Sequence, residues 1–185
     1  MVATAKPKMR TVDMAYIALF AVVMAVCAWI SIPAAVPFTL QTFGVFLAVG
    51  LLGGKRGTLA VLVYLLLGAV GIPVFAGFNG GLGYMLGATG GYIVGFVLSA
   101  LVMWAVEAAL GRKTWVLAVS MVLGLAVCYV FGTAWFMMVY ARNTGPIGLM
   151  TALGWCVIPY IVPDLVKIAL ALLLQKLLSP AIRLR

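Results

Sequence analysis

The stretch GFNGGLGYMLGATGG, Gly77–Gly91, holds seven glycines in fifteen residues. Each glycine weakens a helix by about 1 kcal/mol relative to alanine, so this stretch cannot sustain a regular helix alone. The runs on either side are apolar and uncharged, Thr58–Val70 before it and Gly91–Leu110 after it. A solvated linker would carry lysine, glutamate and serine. The loop it belongs to, residues 71–90, instead carries Phe75, Phe78, Tyr84 and Met85. Irregular backbone near membrane depth is tolerated where it is buried in protein or lines a cavity. The stretch therefore reads as an outer cover over an apolar ligand, set into a membrane protein.

Working outward gives the rest of the architecture. The chain is 66% hydrophobic and 8% charged over 185 residues, with a mean hydropathy of +1.27. Those values belong to a bilayer and to a single domain, residues 1–185. The apolar runs are Met14–Ile32, Leu40–Leu52, Thr58–Val70, Gly91–Leu110, Trp115–Tyr140 and Ile147–Leu178. The last is too long for one straight span, and breaks at Pro159 and Pro163 are expected. The expectation is an all-α integral membrane protein of six transmembrane helices. The irregular loop at residues 71–90 would join the third and fourth helices.

Basic residues set the orientation. With the N-terminal tail, residues 1–12, in the cytoplasm, Lys6, Lys8, Arg10, Lys55, Arg56, Arg112, Lys113, Lys176, Arg183 and Arg185 all fall inside. Arg142 falls outside. Both termini are then cytoplasmic. The net charge of +9 comes in small groups at the ends of apolar runs. Lipid headgroups suit that pattern, and nucleic acid does not.

Other chemistries are excluded by what the sequence lacks. It has no histidine and no CxxC, so the usual zinc sites and histidine-based triads are out, and no metal or cofactor is expected. Cys27, Cys128 and Cys156 read as small buried hydrophobes. GLLGGKRG does not fit a phosphate-binding GxxxxGK[ST] loop. No A-x-A-like site follows the first apolar run, so no signal peptide is expected.

Under this orientation the unusual polar residues gather at the outer end: Thr39, Gln41, Asn79, Tyr84, Thr89, Asp164 and Lys167. Asp164 and Lys167 are three apart and share a helix face. They either cap and decorate the sixth helix or line a polar cavity, the default reading of an ionisable pair inside a membrane run. Aspartate only accepts and lysine only donates, which suits a neutral ligand bearing both N–H and C=O groups. Gly80 and Gly81 offer close backbone approach, and Tyr92 stands just after them at the start of the fourth run. Asp13 is read as a cap of the first helix, and Glu107 as a surface charge beside Arg112. Gly91, Gly95 and Ser99 form a small-residue packing stripe. A second stripe, Ala18, Ala21, Ala25 and Ala28, serves internal packing or a contact between subunits.

Together these segments resemble the BioY family, the biotin-specific S components of energy-coupling-factor transporters. The resemblance rests on VPFTLQTFGVFLAVGLLGGKRG, on GIPVFAGFNGGLGYMLGATGGYIVGF and on the closing DLVK. It implies a non-catalytic subunit of the prokaryotic cell membrane that binds biotin from outside. The subunit would dock on a transmembrane T component and two ATPases. It also implies that Asp164 and Asn79 bond the ureido ring, and that an AxxxA element on the first helix, matched by Ala21 and Ala25, meets the T component. Two departures stand out. The family's PTGG reads ATGG at Ala88–Gly91, and its IPGDL reads IVPDL at Ile161–Leu165. The alternative function is a stand-alone biotin carrier driven by an ion gradient. The sequence offers that reading no proton relay, having one acid at membrane depth.

Overall fold

The computed structural model describes residues 9–182. Lys6, Lys8, Arg183, Arg185 and most of the tail 1–12 lie outside the described residues. Eight α-helices are formed among those described: α1 Thr11–Trp29, α2 Gln41–Leu52, α3 Gly54–Ala69, α4 Leu82–Met85, α5 Gly90–Leu110, α6 Thr114–Asn143, α7 Leu149–Cys156 and α8 Ile158–Leu178. A 3-10 turn at Ala76–Phe78 and an antiparallel ribbon of two-residue strands, β1 Ser31–Ile32 and β2 Phe38–Thr39, complete the structure. The fold is thus helical except for this ribbon, which clips the end of α1 to the start of α2.

Four helical stretches are long and apolar enough to cross a membrane: Thr11–Trp29, Gly90–Leu110, Thr114–Asn143 and the tandem Leu149–Leu178. The other two expected spans are shorter, with 12 residues in α2 and 16 in α3. Ten residues of α2 are buried, so this helix is surrounded by protein. A helix shielded from lipid need not match the hydrocarbon thickness, because the surrounding protein covers its ends. Gly53 alone joins α2 to α3. Its φ of 82° is open to glycine at little cost and reverses the chain in one residue.

Glu107 corrects the surface-charge expectation. Its carboxylate accepts the Gly54 N–H at 2.8 Å and pairs with Arg112 at 3.5 Å. Arg112 also donates to the Gly50 carbonyl at 2.8 Å, satisfying an acceptor at the end of α2. The pair therefore clamps the α2–α3 turn to the end of α5. Asp13 caps α1 as expected, accepting the Arg10 N–H at 3.1 Å. It also binds Arg56 at 3.2 Å, tying α1 to the start of α3. Arg10, Lys55, Arg56, Arg112 and Lys113 consequently gather at one end of the bundle.

Pro163 does not break the last helix. The break falls at Val157, with φ −127° and ψ −58°, and Pro159 occupies the tolerated first turn of α8. Pro163 is the sixth residue of α8 and forfeits only the bond to the carbonyl four residues back. Asp164 is therefore a residue of the helix interior and not a cap.

The stripe on α5 packs against α6. A methyl group on Gly91 would clash with Trp135 Cβ, Gly95 faces Cys128, and Ser99 faces Gly124. Replacing Gly91 by leucine is expected to cost about 1–3 kcal/mol through overpacking. A thermal melt in detergent checks this, and an unchanged midpoint would mean the α5–α6 seam yields freely.

Candidate functional site

A cavity opens at the end of the bundle opposite the basic cluster. It is built from the α1–α2 connection and the starts of α2, α5 and α8, with α4, the middle of α6 and the end of α7. Its space is about 600 Å³ with the open mouth included. Val36, Ile93, Phe96, Cys128 and Cys156 make an apolar wall, and the polar groups converge on Asp164.

Asp164 is 3% exposed and Lys167 5% exposed. The α8 helix places both on one face, and Lys167 Nζ donates to Asp164 Oδ1 at 2.7 Å. The ammonium also donates to the Thr39 carbonyl at 2.6 Å and to Thr42 Oγ1 at 3.3 Å, and it lies 4.3 Å from the centre of the Phe38 ring. An ammonium has three protons, and all three are engaged. Thr42 donates its own proton to Asp164 Oδ1 at 3.0 Å, and Tyr129 donates to Oδ2 at 2.5 Å. A carboxylate has about four acceptor positions. Three are taken here, which leaves Oδ2 able to accept one more donor from the cavity.

A second chain of hydrogen bonds links the cavity wall to the glycine-rich segment. Thr39 donates to Gln41 Oε1 at 3.0 Å, Gln41 Nε2 donates to the Tyr64 hydroxyl at 2.6 Å, and that hydroxyl donates to the Val74 carbonyl at 3.0 Å. Tyr92 shares a proton with Thr133 at 2.8 Å. Tyr160 donates to the Val36 carbonyl, and its ring stacks on Phe38.

The segment at residues 71–90 folds back over the helices. Phe75 is fully buried, edge-on to Tyr64 and stacked on Tyr84 at 5.7 Å. The Gly81 N–H reaches the Gly68 carbonyl at 2.6 Å, with Gly81 at φ 90°. Two tryptophans hold the edges: Trp29 donates to the Pro73 carbonyl and stacks on Phe78, and Trp135 donates to the Gly87 carbonyl. Leu82 on α4 and Leu86 just after it remain exposed.

Of the residues singled out in the sequence, Thr39, Gln41, Tyr84, Thr89, Tyr92, Asp164 and Lys167 line the cavity. Asn79, Gly80 and Gly81 do not. The Asn79 amide turns inward on its own loop, donating to the Ala76 and Gly77 carbonyls at 2.8 and 3.4 Å. Ala21 and Ala25 are 1% and 5% exposed. Their methyl groups pack inside the chain, so they cannot form a docking face as placed here. Thr42, Tyr129 and Tyr160 were missed. Thr42 follows Gln41 at the start of α2, and a hydroxyl in mid-span on α6 was the available signal for Tyr129. Cys128 and Cys156 are buried as expected and also line the cavity.

Comparison with known proteins agrees with this architecture. The BioY family profile matches residues 3–184. A Thermotoga maritima protein named "Biotin transporter BioY" is 43% identical over 157 residues, covering 84% of this chain and 89% of that one. A Pyrococcus horikoshii protein named "Probable biotin transporter BioY" is 41% identical over 172 residues, covering 92% and 98%. A crystal structure described as the S-component for biotin from an ECF-type ABC transporter superposes with a TM-score of 0.82 at 25% identity, covering 94% of this chain and 95% of that one. With its long apolar helices, the protein is a multi-pass prokaryotic membrane protein, and its chain belongs to the BioY family.

Proposed function

We propose that this chain is the biotin-binding S component of an energy-coupling-factor transporter. It takes biotin from the outer side and passes it inward with an ATP-driven module made of a T component and two ATPases. The six-span topology belongs to the same reading, with α2 and α3 as short central crossings and both termini in the cytoplasm. Asp164 carries the proposal. It is a buried carboxylate with one open acceptor position, set in a largely apolar cavity. The ureido ring of biotin offers N–H donors to that position, and its thioether ring matches the apolar wall. Lys167 acts by holding Asp164 and the Phe38–Thr39 strand. The segment 71–90 is the cover of the bound ligand, with Tyr84 and Thr89 on its inner side. Asn79 reaches the ligand only if its loop turns.

Titration of the purified protein with biotin tests this reading. Saturable binding of one biotin per chain is expected, and no binding would end it. Desthiobiotin, which keeps the ureido ring, should compete, whereas a plain fatty acid should not. Asp164→Asn is expected to lose about 2–4 kcal/mol of binding, because a buried donor loses its charged acceptor and Lys167 its counter-ion. Unchanged affinity in the same titration would remove Asp164 from the site.

A further inference from the structure

Resting on the biotin reading, we propose that the cavity recognises the uncharged ring end of its ligand and leaves the acid end at the mouth, so that neutral amides and esters of biotin bind about as well as the free acid. The charges lining the cavity set this up. Asp164 and Lys167 are its one acid and its one base among the described lining residues, and they neutralise each other at 2.7 Å. Lys167 has no proton left for a ligand, because Thr39, Thr42 and Asp164 take all three.

A ligand carboxylate that reached Lys167 would also sit against Asp164 Oδ1. Two carboxylates sharing one ammonium repel each other and lose their hydration. Elsewhere the wall is formed by neutral groups: Val36, Ala76, Tyr84, Thr89, Phe96 and Cys156. A carboxylate left among them without a cation would be costly, so it remains in water.

Depth fixes the direction of entry. Asp164 and Lys167 lie six and nine residues beyond the start of α8 at Ile158, about 9 and 13 Å along the helix. The open acceptor of Asp164 is therefore at the floor. A ligand with N–H donors at one end and an acid at the other satisfies both ends by entering ring first.

The experiment is competition for radiolabelled biotin on the purified full-length protein by unlabelled biotin, biotinamide and biotin methyl ester. Both neutral derivatives are expected to compete within tenfold of biotin. If labelled biotin binds but either derivative is more than tenfold weaker, the inference falls and an acid-binding group exists inside the cavity, with the Thr89 hydroxyl the first place to look. If labelled biotin itself does not bind, the biotin reading falls, and this inference with it.

Discussion

Replacing Lys167 by methionine is expected to destabilise the protein by about 3–5 kcal/mol, the cost of leaving a buried charge without its partner. Methionine fills similar volume and keeps the contact with Phe38, so packing alone would cost little. What is lost is the 2.7 Å ion pair and the bond that holds the Thr39 carbonyl. Asp164 would keep two neutral donors, Thr42 and Tyr129. Chemical unfolding in detergent reads the loss. The double variant Asp164→Asn, Lys167→Met separates the charge effect from the packing effect. It contains no buried charge at the site and should be more stable than Lys167→Met alone. It should still bind biotin more weakly than the parent, because the ureido N–H meets a neutral amide oxygen in place of a charged acceptor. If Lys167→Met is as stable as the parent, the ammonium is not the counter-ion that orders this site.

Much of this was legible in the sequence, for physical reasons that can be named. Apolar runs bounded by KRG, GRK and prolines mark helices, because charge and turn chemistry are expelled from spans. Asp164 and Lys167 stood out because ionisable groups at membrane depth are rare. Other features depended on tertiary contacts. Glu107 looked like a surface charge because its partner, the Gly54 N–H, is 53 residues away. Pro163 looked like a breaker because its position relative to the true helix start at Ile158 was unknown. Asn79 looked like a ligand group because a side-chain amide in a glycine-rich loop can face either way. Here it closes on its own carbonyls.

The face of α1 was misjudged for a related reason, and its correction yields the second large effect. Alanines at 18, 21, 25 and 28 do form one stripe, about 80° wide on a helix that turns about 100° per residue, but which edge of it is buried depends on the neighbouring helices. Ala21, Ala25 and Ala28 point into the protein, whereas Ala18, Leu19, Val22 and Val26 are exposed. If α1 meets the T component, as the S-component reading implies, the contact must use this outer face. Ala18→Trp and Val22→Trp should then leave biotin titration and thermal stability unchanged, since neither side chain is packed within the chain. Both should abolish biotin uptake in cells that also carry the T component and the ATPases, because an indole would hold the two helices apart. Ala21→Trp and Ala25→Trp should instead unfold the protein or lower its melting point, because no space exists around a buried methyl group. Uptake that survives both outer-face substitutions would place docking elsewhere. Uptake that proceeds in cells lacking the ATPases would favour the stand-alone carrier, and with it a protein that needs no partner on α1.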